Sequence, residues 1–343
     1  MNDCYPINIT DYIIATLVWI ILFLICWLIY VNLVISSWIV MAIPMCYDTK
    51  NVAVHMTKLV SHYGFREEIH DISGVKIHCV IKDPLATETL TTDVFVFIHG
   101  TASASAAFFD TMNALPPTMK CVAIDLPTFG VSGHIDTERY PTNEKLCIAY
   151  ADVIGHTLHE MKIVENTILV AHSLGGFLSI YVANRFPIKK LVLLNPAGIL
   201  PTLGVYGYYW GMFFKAGLPT TVYHLPMVSS ELLTYLVRWW RTGDADNHND
   251  PNIEFWLSFY ANPANEGHRI LQRLITLRPF YSYWNTPTIS TLTDVYKKVP
   301  TSICFGVEDT IIPSHIGSFL RRLTQGEIRI HNIQNANHNP CTN

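Results

Sequence analysis

The polarity pattern of the chain opens on a long apolar run. From residue 12 to residue 43 no side chain carries a charge, and Asn32, Ser36 and Ser37 are among the few polar ones. About twenty apolar residues in a helix suffice to cross a bilayer. The run therefore predicts a single membrane anchor within residues 1–47, followed by a linker over 48–64. A cleaved leader would carry basic residues before a shorter apolar stretch; here Asp3 and Asp11 come first. No Lys or Arg precedes the run, whereas Lys50, Lys58 and Arg66 follow it. The positive-inside tendency then places the large domain on the cytosolic side.

Beyond residue 65 the pattern changes period. Strand-like runs at 66–70 and 75–81 flank a Ser73-Gly74 turn. Short apolar runs follow at 94–98, 121–124, 167–170, 191–194, 302–305 and 327–330. Helical spacing is expected between them at 106–115, 143–161, 174–186 and 314–323. Apolar strands separated by helices predict an α/β fold, a mostly parallel sheet covered on both faces. Ligands of such sheets sit beyond the carboxyl ends of the strands. The alternation breaks over 198–296, a stretch rich in aromatic residues such as Tyr208, Trp210, Phe213, Trp239 and Trp256. It reads as a helical insertion placed to act as a lid. The domain plan is thus a core over 65–197, a lid over 198–296 and the rest of the core over 297–343.

Composition sharpens this picture. Half of the 343 residues are hydrophobic and 15% are charged, a balance too apolar for an ordinary soluble protein. A net charge of −4 without basic runs gives no electrostatic reason to expect nucleic acid. Eight cysteines occur without a C-x-x-C pair, and fifteen histidines without an H-E-x-x-H. Neither a disulfide framework nor a metal site is suggested, and no cofactor is implied.

The chemistry concentrates at the ends of the expected strands. Ala171-His172-Ser173-Leu174-Gly175-Gly176 follows the apolar run at 167–170 and opens a helical pattern. A strand that turns sharply at a serine into a helix is a nucleophile elbow, and the tight turn needs small residues at Ala171 and Gly175. The N–H of Leu174, at the helix start, then faces the reacting atoms as an oxyanion donor. A serine nucleophile needs a base and a group that orients the base. Asp309 follows the strand at 302–305, with Glu308 beside it as the alternative acid. His338 follows the last strand, completing the order Ser173, Asp309, His338. The loop His99-Gly100-Thr101 after the first parallel strand supplies the second oxyanion donor, the N–H of Thr101. His99 itself reads as a residue that orients this loop.

These motifs, with Asp125-Leu126-Pro127-Thr128-Phe129-Gly130-Val131-Ser132, Asn195-Pro196-Ala197-Gly198 and Asn337-His338-Asn339-Pro340, resemble the α/β-hydrolase superfamily from about residue 65 onward. The resemblance implies Ser173 as nucleophile, Asp309 as orienting acid, His338 as base, and Thr101 and Leu174 as oxyanion donors. Ala171 stands where the family more often has glycine, and Asn337 where glycine usually precedes the histidine. An N-terminal anchor followed by such a domain is similar to the single-pass monoacylglycerol lipases. Serine at the elbow argues against the branches that use a carboxylate nucleophile. The expected function is hydrolysis of lipid carboxylic esters drawn from the bilayer. Acyl transfer to an alcohol or lysolipid, carbon–carbon bond hydrolysis, and non-catalytic binding on the same fold stay open as alternatives.

Overall fold

The structure, a computed structural model, describes residues 52–85, 92–100, 103–136, 139–140, 143–198, 287–309, 312 and 314–338, with Phe255, Trp256 and six residues near the N-terminus. Those six, Leu17, Val18, Ile20, Ile21, Leu24 and Trp27, are helical and exposed. Most of the expected anchor lies outside the described residues. Among the described residues no helix is long and apolar enough to cross a membrane.

Helix α1 (Val52–His62) leads into strands β1 (Arg66–Ile72) and β2 (Val75–Lys82), then β3 (Val94–Ile98). After β3 come α2 (Phe109–Ala114), β4 (Lys120–Ile124), α3 (Asn143–Glu160), β5 (Thr167–His172), α4 (Leu174–Arg185) and β6 (Lys190–Leu194). The chain is described again at α5 (Pro287–Tyr296), β7 (Thr301–Gly306), α6 (Ile316–Leu323) and β8 (Arg329–Ile333). Among the described residues, eight strands form one mixed sheet in the order β1-β2-β4-β3-β5-β6-β7-β8. Strand β2 runs antiparallel to both its neighbours, and every pairing from β4 through β8 is parallel.

The hairpin between β1 and β2 shows how locally the sequence acts. Ile72 pairs with Val75, leaving a two-residue loop. Ser73 and Gly74 have φ of 54° and 86°, the left-handed pair that a tight hairpin of matching twist requires. Asp71 adds a carboxylate oxygen that accepts the Gly74 N–H at 2.8 Å.

Alternation along the strands separates two cores. Val96, Ile98, Val122 and Ile124 face a cluster completed by Ile154, Leu158, Leu178, Val182 and Leu320 from α3, α4 and α6. Phe97, Cys121 and Ala123 face the other side, where α1, Phe108, Phe109, Phe255 and Trp256 cover them. From the stretch read as a lid, α5 packs on α4 and sends Leu292 and Val295 into the first core. Lys82, at the end of β2, donates to the carbonyls of Met112 at 2.6 Å and Leu115 at 2.7 Å. It thereby satisfies carbonyls that the end of α2 leaves without helical partners.

Two elements differ from expectation. The stretch read as linker contains α1, whose buried face is Val52, Met56, Leu59 and Val60. That spacing is helical, and each such side chain gains about 1.5–3 kcal/mol by full burial, so the sheet face organises what looks locally like a connector. The last strand forms at Arg329–Ile333 rather than at 327–330. It is an edge strand with mostly exposed side chains, so pairing with β7, Ser302 to Arg329 and Gly306 to Ile333, sets its bounds.

Candidate active site

Only Ser173 separates the end of β5 from the start of α4. Its φ of 49° lies in the left-handed region, which costs a residue with a Cβ of order 1–3 kcal/mol. Surrounding bonds hold it there. The Ser173 N–H donates to the Leu194 carbonyl at 3.0 Å, and its own carbonyl accepts from Phe177 at 3.1 Å and Ala197 at 3.0 Å. Close approach explains the small neighbours. A Cβ on Gly175 would lie 2.4 Å from the His99 carbonyl oxygen, and Ala171 is fully buried.

The ends of β7 and β8 bring two further side chains to this turn. His338, after β8, places Nε2 at 3.1 Å from Ser173 Oγ and Nδ1 at 2.8 Å from Asp309 Oδ2. Asp309, after β7, has a fully buried carboxylate whose Oδ1 accepts the Ile312 N–H at 2.8 Å. A buried carboxylate on Nδ1 keeps the ring proton there and leaves the Nε2 lone pair for the serine hydroxyl. Glu308, by contrast, is exposed, and its N–H is bonded to the Ala336 carbonyl at 2.9 Å.

Leu174 is the first residue of α4. Its N–H has no intrahelical acceptor and stands at the positive end of the helix dipole. Thr101 lies outside the described residues. Gly100, just before it, is described and presses on the turn: a Cβ there would sit 3.0 Å from Ser173 Cβ. His99 is fully buried with both ring nitrogens on backbone. Nδ1 donates to the Gly100 carbonyl at 2.7 Å, and Nε2 accepts the Leu126 N–H at 3.0 Å. Burial pushes its pKa down, consistent with the neutral tautomer this bonding needs.

Two residues at the site stand inside the sequence motifs, which give them no role. Asn195, buried at φ 42° after β6, donates from Nδ2 to the carbonyls of Asn337 at 3.1 Å and His338 at 3.0 Å. Its Oδ1 accepts the Gly306 N–H at 2.8 Å. His172 donates from Nε2 to the same His338 carbonyl at 2.6 Å. A polar residue ending an apolar strand is the one signal that could have flagged them.

Comparison with known proteins agrees with this architecture. The alpha/beta hydrolase family profile matches residues 95–343. The chain belongs to the alpha/beta hydrolase family. Among its relatives, the cis-3-alkyl-4-alkyloxetan-2-one decarboxylase of Shewanella oneidensis is 26% identical over 229 residues, covering 64% of this chain and 68% of its own. A Mycoplasma genitalium protein assigned to the esterases/lipases is 30% identical over 106 residues, 30% of this chain and 38% of that one. This chain thus spans well under half of that relative's length. Among solved structures, a candidate lipase from Acinetobacter baumannii superposes with a TM-score of 0.61 at 17% identity, covering 88% of this chain and 93% of that one.

Elsewhere on the sheet, His78 is held between two carboxylates. His78 Nδ1 donates to Asp125 Oδ2 at 2.8 Å and its Nε2 to Glu67 Oε1 at 2.9 Å. Burial opposes charge on His78, but the two carboxylates outweigh it and raise its pKa to about 9. The hydrogen bond from His78 in turn holds Glu67 below the ordinary carboxylate range. Asp125 also accepts the N–H groups of Ser105 at 2.6 Å and Val131 at 2.9 Å. The His78–Asp125 pair thus ties β1, β2 and the end of β4 to the segments that carry Ser105 and Val131.

Proposed function

We propose that the protein is a serine hydrolase of lipid carboxylic esters, with monoacylglycerol-like substrates, held at a membrane by residues 12–43 with its large domain on the cytosolic side. The observation that carries this reading is the chain of hydrogen bonds from Asp309 through His338 to Ser173. Ser173 Oγ attacks the ester carbonyl while His338 Nε2 takes the hydroxyl proton. Asp309 stabilises the imidazolium, and the N–H groups of Leu174 and Thr101 receive the oxyanion. His338 then passes the proton to the departing alcohol. Water, deprotonated by the same nitrogen, attacks the acyl-serine and releases the acid.

The names of the relatives support an ester substrate. One is assigned to the esterases/lipases, and the oxetan-2-one of the other is a cyclic ester with two alkyl substituents. The exposed helical residues Leu17, Val18, Ile20, Ile21, Leu24 and Trp27 support a membrane setting, since apolar surface of that kind calls for a cover.

The test uses the full chain in lipid vesicles, a fluorophosphonate probe and a panel of esters from short soluble acyl chains to monoacylglycerol. The expected result is covalent labelling at Ser173 and ester hydrolysis, both lost in Ser173→Ala. Hydrolysis that persists unchanged in Ser173→Ala would overturn the assignment. Carbon dioxide release from a dialkyl oxetan-2-one in place of ester hydrolysis would move the protein to the chemistry of its Shewanella relative.

A further inference from the structure

His172 is the last residue of β5 and is covalently joined to Ser173. Its side chain reaches the loop that carries His338, donating from Nε2 to the His338 carbonyl at 2.6 Å. The two rings lie 4.9 Å apart at 54°. On its other side the ring meets Gly100, where a Cβ would come within 2.9 Å of His172 Nδ1. The imidazole is therefore confined between the Gly100 loop and the His338 loop. Burial, with His338 alongside, pushes its pKa down to about 3. A neutral His172 offers a single ring N–H and sets no positive charge beside His338 when that residue takes up a proton.

The carbonyl of His338 accepts from two described side chains, one from the last residue of β5 and one from the residue just after β6. Asn195 comes from the end of β6 and also binds Gly306, so it ties the His338 loop to β7. His172 alone belongs to the strand that carries the nucleophile. A displacement of the His338 loop relative to the Ser173 turn disturbs the hydrogen bond from His172. We propose that His172 is a positioning residue that sets the distance from Ser173 Oγ to His338 Nε2, an inference that rests on the acyl-transfer reading of Ser173 and His338. A misplacement of about 1 Å between reacting groups costs on the order of 100-fold in rate, so one well-placed donor has leverage on turnover without touching substrate.

The test compares donor-keeping and donor-free replacements in the full chain. His172→Gln keeps an N–H at similar reach; His172→Met and His172→Phe do not. Steady-state hydrolysis of a soluble ester and the rate of fluorophosphonate labelling at Ser173 are measured, with thermal melting as the control for folding. The Met and Phe variants should lose about 10- to 100-fold in kcat and in labelling rate, with KM unchanged, and Gln should recover most of that loss. A kcat near wild type in both donor-free variants, or an equal loss in all three, would overturn the proposal while leaving the acyl-transfer reading intact. A wild-type protein that takes no label at Ser173 removes that reading, and the proposal with it.

Discussion

Two histidines in this molecule each direct Nδ1 at an aspartate from 2.8 Å, yet their surroundings prepare them for different work. His338 has Asp309 on one nitrogen, the Ser173 hydroxyl on the other, and a side chain 18% exposed at the ends of the strands. His78 has carboxylates on both nitrogens and a side chain only 2% exposed. One carboxylate orients a ring and leaves a nitrogen able to take a proton. Two carboxylates in a buried place fix a cation, which braces loops and is no base near neutral pH. A histidine–aspartate pair is thus insufficient to define a catalytic base; the partner of the second nitrogen decides.

The comparison breaks hardest at Asp309. Asp309→Asn should lower ester turnover by roughly 10⁴-fold in protein that still melts close to wild type, because orientation and charge behind His338 are lost while the site keeps its shape. A loss under tenfold in a kinetic assay would overturn the proposed role of Asp309 as the orienting acid. The matching change at the other histidine, Asp125→Asn, should act on stability instead. Removing one partner of a buried ion pair costs about 3–5 kcal/mol, read as a lower urea midpoint, with the remaining folded protein still turning over ester.

A smaller effect follows from pH. The folded pKa of His78, about 9, stands above its ordinary 6.5. Its contribution is therefore complete below pH 6.5 and fades as the pH climbs toward 9. Urea unfolding from pH 6 to pH 10 should show that decline, and Asp125→Asn should flatten it. An alkaline limb of equal steepness in both proteins would mean that His78 is not its source. The smallest expected change is at Glu308. Glu308→Gln should leave turnover at the wild-type value within assay error, separating the exposed carboxylate from the buried one beside it.

Much of the sheet was legible because its signals are local. The run at 94–98 became β3 with the same bounds, since five consecutive apolar residues suit a strand covered on both faces. Ser73-Gly74 could be read as a turn from its own backbone preferences. Helix α1 was harder, because Val52, Met56, Leu59 and Val60 show a helical stripe only once there is a face to receive it. Strand β8 slid by two or three residues because an exposed edge carries little hydrophobic signal, and pairing with β7 chose the register. At the site, Ser173, Asp309 and His338 stood out as residue types at the ends of expected strands. Asn195 and His172 did not, since their partners are backbone carbonyls 143 and 166 positions away, and a carbonyl leaves no mark in a sequence.

By itself the sequence determined the alternation of strands and helices from residue 66 to residue 194, the serine turn with its small neighbours, and the apolar run near the N-terminus. Each follows from side-chain size, backbone preference or polarity acting within a few residues. Only the tertiary structure decided which carboxylate meets which histidine. Asp309 reaches His338 while Glu308 faces solvent, and His78 becomes a buried cation between Asp125 and Glu67. The strength and role of a charge depend on burial and on partners at hydrogen-bonding distance, and both are set only when distant strands are brought side by side.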